Sequence, residues 1–187
     1  MPDKGYEAAK LGIWTFLATE VLLFGALFTA YIVFRLKFPG MFHADYVHLN
    51  RLLGAANTVV LISSSLTVAL AVASIRKGKQ KRMMLFLSLT ILLAGVFLAI
   101  KYFEWTEKFA HGLFPGTDIF FSLYFMMTGL HGLHVLGGML VLGAMLILAG
   151  RGRFSESYHT PVEISGLYWH FVDLVWIYLF PMLYLIG

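Results

Sequence analysis

The sequence lacks cysteine entirely and has few charged residues. Of its 187 residues, only 13% are charged, whereas 59% are hydrophobic. The absence of cysteine excludes disulfides, thiolate metal ligands and redox thiols. The shortage of charge excludes an ordinary water-soluble domain, since about a quarter of the residues are charged in typical globular proteins. The composition therefore indicates a protein whose solvent is the lipid bilayer.

Five apolar runs are long enough to cross a bilayer as helices, for which about 20 residues are needed. They lie at about residues 11–34, 52–75, 83–105, 119–149 and 164–186. The first run is too long for the apolar part of a signal peptide, and we expect no cleavage after it. Residues 1–187 are predicted to form one domain, an all-α membrane protein built as a bundle of five transmembrane helices.

Lysine and arginine residues in the connections predict how the bundle is oriented. The N-terminal side carries the segment RKGKQKR (76–82) with Lys4, Lys10, Arg151 and Arg153, and the opposite side carries Arg35, Lys37, Arg51 and Lys108, with Lys101 near that interface. This imbalance predicts a cytoplasmic N-terminus and a periplasmic C-terminus. The net charge of +4 is accounted for by these connections and does not suggest a nucleic-acid partner.

Polar residues interrupt the apolar runs at Glu20, Asn57, Glu104, His131, His134, His170 and Asp173. The helical rise of about 1.5 Å per residue predicts that Glu20, His134 and Asp173 lie near the middle of the bilayer, with Glu104 and Asn57 closer to the outer face. An ionised side chain facing lipid costs at least ~2.5 kcal/mol. These groups are therefore predicted to face other helices, water or a partner subunit.

Three interpretations of these groups compete. A metal site would use His131, His134, His170, Asp173, Glu20 and Glu104 as ligands, but the Glu-x-x-His pairs of bundle di-iron proteins are missing. A proton route would depend on Glu20, for which Thr15 and Thr19 are expected to be local hydrogen-bond partners. The alternative is that a protonated Glu20 only donates one hydrogen bond to another helix. The residues favour a polar clasp for His131, His134, His170 and Asp173, in which Asp173 bonds a histidine of the fourth run across the helix contact.

Two motifs resemble a known family. The segments TGLHGLHVLGG (128–138) and YWHFVDLVWIYLFPMLYL (168–185) are similar to subunit III of heme-copper oxidases, the cytochrome c and quinol oxidases. Similar stretches are found at WTFLATEVLLFGALFTAYIVF (14–34), LLGAANTVVLISSSLTVALA (52–71) and AIKYFEWTEKF (99–109). The resemblance covers nearly the whole chain, in the family's order.

The resemblance implies an accessory role without a catalytic centre or a metal in this chain. Heme and copper would lie in partner subunits, with subunit I as the catalytic neighbour and subunit II and small subunits beside it. The chain would stabilise the catalytic subunit, support proton uptake while oxygen is reduced to water, and hold phospholipid in a bacterial cytoplasmic membrane. Glu20 matches the family's carbodiimide-reactive glutamate, and Glu104, His131, His134, His170 and Asp173 match its interior polar positions.

The resemblance also leaves alternatives open. The chain lacks the two N-terminal helices that the mitochondrial form adds, so it is similar to the short bacterial form with five helices. An accessory protein of nitric oxide reductases shares these motifs, and the electron donor is cytochrome c or quinol in different members of the family. A membrane metalloenzyme is the other alternative function.

Overall fold

Five long helices run back and forth along one axis in the computed structural model, which describes residues 4–186. They are α1 (Lys4–Lys37), α3 (Arg51–Ile75), α4 (Gln80–Ala110), α5 (Ile119–Gly150) and α6 (Thr160–Phe180). Each is long and apolar enough to cross a membrane, with α6 counted together with the turn that follows it. The described residues contain no strand. The predicted five-helix bundle is thus confirmed over this range; residues 1–3 and 187 of the predicted domain lie outside it.

Helices α1 and α4 extend beyond their predicted apolar runs at both ends and α6 begins earlier than predicted, whereas α3 and α5 begin within one residue of the prediction, where side chains cap them. The Asn50 side chain accepts hydrogen bonds from the backbone N–H groups of Leu52 and Leu53 at the start of α3, and Asp118 accepts one from Phe121 at the start of α5. Such caps satisfy amide groups that have no partner inside the helix. Glycines with positive φ follow three helices, at Gly78, Gly112 and Gly152.

The connection between α1 and α3 contains structure that the apolar runs did not predict. A short helix, α2 (Pro39–Asp45), and a 3₁₀ turn (Tyr46–His48) fold back toward the bundle. Phe42 of α2 is fully buried, and its ring meets the ring of Phe120 edge to face at 5.4 Å between centroids. Aromatic burial therefore anchors this connection to the start of α5.

The last predicted run, 164–186, is not one regular helix. The α-helix ends at Phe180, and Pro181–Leu185 form a π-helical turn. Pro181 has no N–H to donate into the preceding turn, which explains the change of helix type. Two side chains of α1 donate to carbonyl groups of this segment: the Tyr31 hydroxyl bonds the oxygen of Met182 at 2.8 Å, and Arg35 bonds that of Ile186.

Two tryptophans of α6 form the centre of the bundle, and both are fully buried. The indole N–H of Trp169 donates to the Ser64 hydroxyl and that of Trp176 to the Thr58 hydroxyl, both at 3.0 Å. On the other side of Trp169, α5 approaches closely at Gly138. A Cβ atom added to Gly138 would lie 2.7 Å from the Trp169 ring. The α5–α6 distance therefore depends on this glycine.

The substitution Gly138→Ala tests this close approach. Because a Cβ at 2.7 Å from a rigid ring forces the helices apart, we expect a loss of about 1–3 kcal/mol in the free energy of unfolding. Gly143→Ala is the matched control, since no atom lies within 4 Å of a Cβ built there. Thermal unfolding of the protein in detergent measures both variants. Equal midpoints for the two variants would contradict the packing described above.

A second prediction concerns Asp45, where α2 ends. Burial raises the pKa of the Asp45 carboxyl, the neighbouring Asp118 carboxylate raises this pKa further, and His48 lowers it. One oxygen of Asp45 is buried without a hydrogen bond among the described residues. Because the folded-state pKa lies above the unfolded one, stability falls as the pH rises through it.

We therefore expect Asp45→Asn to raise the unfolding temperature at neutral pH and to have little effect at acidic pH, where Asp45 is already protonated. The exposed Glu107→Gln variant serves as the control and should show no such difference. Unfolding scans at several pH values check the pattern. A stabilisation by Asp45→Asn that is the same at every pH would contradict it.

Candidate functional site: the polar groups inside the bundle

Glu20 of α1 and His134 of α5 lie against each other near the middle of their helices. The Oε2 atom of Glu20 is 2.8 Å from Nε2 of His134, and the other ring nitrogen, Nδ1, is 2.8 Å from the carbonyl oxygen of Leu130. The Tyr168 hydroxyl donates to the carbonyl oxygen of His134 at 3.1 Å. The contact thus joins α1, α5 and α6 at one level of the bundle.

The surroundings of Glu20 differ from the predicted ones in one respect. Thr15 and Thr19 were expected to be local hydrogen-bond partners of Glu20. Instead, their hydroxyl groups donate to carbonyl oxygens of their own helix, those of Leu11 and Phe16. Hydroxyl groups within helices commonly bond the preceding turn in this way, so the carboxyl group takes its partner from another helix.

Glu104 of α4 forms the second polar centre, a buried ion network. Its Oε2 accepts from the ammonium group of Lys101 at 2.8 Å, and its Oε1 accepts from the Tyr184 hydroxyl at 2.6 Å and the Tyr124 hydroxyl at 3.1 Å. Lys108 lies 3.4 Å from Oε1. The side chain of Glu104 is completely buried. Charge-assisted hydrogen bonds from three helical segments therefore surround one carboxylate.

Lys101 and Lys108 are buried inside the protein and bound to Glu104. The orientation argument counts Lys108 on the outer side and Lys101 near that interface, but it does not predict that either is bound inside the bundle. Lys101 also donates to the Tyr184 hydroxyl at 2.5 Å and lies 4.7 Å from the centroid of the Trp176 ring. Their spacing from Glu104, three residues before and four after, was a usable sign of pairing along one helix face.

The remaining predicted positions have separate environments. Nδ1 of His170 lies 2.7 Å from the hydroxyl of Ser65 on α3. His131 is fully buried, with its ring 5.5 Å from that of Phe97 and 5.3 Å from that of Trp176 between centroids. Among the described residues, the polar side-chain atoms of His131, Asn57 and Asp173 make no hydrogen bond, although all three residues are buried.

The predicted clasp between Asp173 and a histidine of α5 is not formed. His134 bonds Glu20 of α1 instead, and His131 is enclosed by aromatic rings. Residues three apart on an α-helix differ in direction by about 60°, which is enough to turn His131 and His134 toward different neighbours. A side-chain contact across the helices does form, but it joins His134 of α5 to Glu20 of α1. The bond from α6 reaches only the backbone oxygen of His134.

A metal-binding arrangement is not found among residues 4–186: no three histidine, aspartate or glutamate side chains converge there in a way that could hold an ion. Glu20 and His134 form a pair without a third ligand, while Glu104 is surrounded by lysines and tyrosines. Cationic neighbours disfavour a metal ion. These groups are suited to hydrogen bonding and proton binding.

The Glu104 network generates a prediction about stability. In Glu104→Gln, the two lysines lose their buried counter-charge, so we expect a loss of about 3–5 kcal/mol in the free energy of unfolding. Lys108→Met is the matched control, because Glu104 keeps Lys101 and both tyrosines. Thermal unfolding of the two variants in detergent gives the comparison. A Glu104→Gln variant as stable as Lys108→Met would argue against a charged network.

Comparison with known proteins identifies the family of the chain. Residues 4–187 match the family model described as cytochrome c oxidase subunit III. A probable quinol oxidase subunit 3 of Staphylococcus epidermidis is 35% identical over 184 residues, which cover 97% of this chain and 90% of that protein.

Two further relatives come from other bacteria. The cytochrome bo(3) ubiquinol oxidase subunit 3 of Pseudomonas putida is 32% identical over 191 residues, covering 99% of this chain and 88% of the relative. A cytochrome c oxidase subunit 3 of a Synechocystis strain is 35% identical over 181 residues, covering 96% and 76%. The five-helix fold, the full-length match and these relatives together show that the chain belongs to the cytochrome c oxidase subunit III family.

Proposed function

We propose that this chain is the non-redox subunit III of a bacterial terminal oxidase, bound beside a catalytic subunit I, with subunit II and small subunits in the same assembly. As a member of its family it is an accessory subunit of a terminal heme-copper oxidase, and it works in a complex with other oxidase subunits. It is a multi-pass membrane protein. The family match over residues 4–187 is the observation that carries the proposal.

We propose that the chain has a structural role and a role in proton uptake. It stabilises the catalytic subunit, supports proton uptake during oxygen reduction, and holds phospholipid against its apolar surface. Heme and copper lie in the partner subunits. The bonding inside the bundle supports this division of work, because Glu104 and its neighbours bond to one another and Glu20 bonds His134. These groups tie the helices together.

The distribution of exposed charge supports a cytoplasmic N-terminus and a location in the cytoplasmic membrane. With Lys101 and Lys108 buried, the exposed or half-exposed basic residues at the end holding the α1–α3 and α4–α5 connections include Arg35, Lys37 and Arg51. The opposite end exposes Arg76, Lys77, Lys79, Lys81, Arg82, Arg151 and Arg153. Positive charge collects on the cytoplasmic side of bacterial membrane proteins. The burial of Lys101 and Lys108 therefore increases the excess of exposed basic residues at the α3–α4 end.

Purification tests the assembly. An affinity tag on this chain should recover partner polypeptides together with stoichiometric heme and copper from mild detergent. After dissociation, this chain should carry neither metal. Heme or copper retained on the isolated chain would contradict a non-redox role, and recovery without an oxidase partner would contradict the assembly.

Orientation has its own test, made simple by the absence of native cysteine. A thiol placed by Gly116→Cys, in the α4–α5 connection, should react in whole cells or spheroplasts with a maleimide that cannot cross the membrane. A thiol placed by Lys77→Cys, in the α3–α4 connection, should react only after the membrane is permeabilised. The reverse pattern would overturn the proposed orientation.

A further inference from the structure

The hydrogen bonds of His134 determine how many protons the Glu20–His134 pair holds. Nδ1 lies 2.8 Å from the carbonyl oxygen of Leu130. A carbonyl oxygen can only accept, so Nδ1 must carry a proton. The second nitrogen, Nε2, faces Oε2 of Glu20 at 2.8 Å. One further proton is needed for this contact to be a hydrogen bond.

Two arrangements satisfy the contact. In the first, the carboxyl group of Glu20 is protonated and donates to the bare Nε2 of a neutral imidazole. In the second, Nε2 is protonated and an imidazolium donates to a carboxylate. Both arrangements hold one shared proton, and in both the net charge of the pair is zero.

Other proton counts are unfavourable at this contact. Without the shared proton, the lone pairs of Nε2 and Oε2 would face each other at 2.8 Å. With a second proton, held on Oε1 of the acid, Nε2 could still donate to Oε2, but the pair would carry a net positive charge. Either state is costly where water is scarce, because an unpaired charge in a low-dielectric region loses its solvation.

We propose that Glu20 and His134 form a single proton-binding site within the membrane, which holds one proton at the contact between α1 and α5. His134 is the positioning residue, and the carbonyl group of Leu130 fixes which of its nitrogens faces Glu20. The site follows from this chain's own geometry and does not rest on the proposed function.

Two titratable groups and one apolar ring surround the site. On α5, His131 lies three residues from His134 with both ring nitrogens unbonded among the described residues. On α6, the Tyr168 hydroxyl bonds the backbone oxygen of His134. The ring of Phe24 on α1 meets that of His134 at 5.2 Å between centroids. An apolar ring and a neutral phenol thus flank the pair, and they leave its net charge at zero.

The site lies at the edge of the bundle. The side chains of His134 and Glu20 are 15% and 13% exposed, so they are neither sealed in the core nor open to lipid. The two proton positions differ in dipole but not in net charge. A charged group that a neighbouring subunit brings to this edge would therefore move the proton between Oε2 and Nε2 without changing the proton count.

Two spectroscopic measurements on the intact complex test the proposal. Infrared spectroscopy detects the carbonyl stretch of a protonated carboxylic acid, and the variant Glu20→Gln assigns it. Nitrogen-15 NMR of labelled histidine distinguishes a neutral ring from an imidazolium, and His134→Asn assigns that signal. We expect either a protonated acid with a neutral ring or a carboxylate with an imidazolium, and the same count as the pH is taken through neutrality.

Three results would overturn the proposal: a carboxylate facing a neutral imidazole, a protonated acid facing an imidazolium, or a proton count that changes on passing through neutral pH. Glu107→Gln, at an exposed glutamate, is the control and should leave both signals of the pair unchanged.

The variant Glu20→Gln separates the helix contact from the shared proton. The amide of Glu20→Gln can still donate to Nε2, so this variant should keep the α1–α5 contact and remain as stable as the wild type while losing the acid signal. Its ring at position 134 should be neutral, with the proton on Nδ1. An imidazolium at 134 in Glu20→Gln would show that the proton does not depend on Glu20 and would refute a shared site.

Discussion

The hydrocarbon core of a bilayer offers no hydrogen-bond partner to a polar side chain, and this constraint governs the interior of the bundle. Glu20 takes its partner from another helix, and the carboxylate of Glu104 is enclosed by two lysines and two tyrosines. These two glutamate carboxyl groups therefore have polar partners within the protein, whereas Asp173 has none among the described residues. A glutamate on an isolated helix would have to cross the bilayer neutral or not at all.

The same bonds explain how the helices stay together in a solvent that is as apolar as their side chains. Hydrophobic burial contributes little between helices in lipid, so close packing and polar contacts take its place. Trp169 and Trp176 combine both, since each fills the centre of the bundle and donates to a hydroxyl of α3. The π-helical turn after α6 is held by Tyr31 and Arg35, which bond its carbonyl groups. An accessory subunit built in this way presents a stable surface to its neighbours.

The two polar centres differ in a way that matters for function. The Glu104 network is buried and contains more positive than negative groups. Because its members come from three helical segments, a change in its charge would disturb all three at once. The Glu20–His134 pair is neutral as a unit and lies at the edge of the bundle. A group that responds to a partner subunit must be partly exposed at the protein surface. Of these two centres, the Glu20–His134 pair is the one that is partly exposed.

The level of a residue along the bundle could be predicted from the sequence, but its direction around the helix could not. The rise per residue correctly suggested that Glu20 and His134 lie at one level, because it depends only on counting from the helix ends. The choice of partner depends on rotation about the helix axis and on which helices are neighbours. For this reason the sequence predicts a bond between Asp173 and a histidine of α5, whereas His134 bonds Glu20.

The sequence by itself determined that the chain crosses a membrane five times and belongs with subunit III proteins. Length, apolar content and the spacing of motifs are properties of the chain alone, and the bilayer permits few ways to satisfy them. Only the tertiary structure decided that Lys101 and Lys108 are interior ions, and that His131 lies between the rings of Phe97 and Trp176. The burial of the two lysines and the position of His131 depend on contacts between residues far apart in sequence, although the spacing of the lysines from Glu104 is a local sign of their pairing.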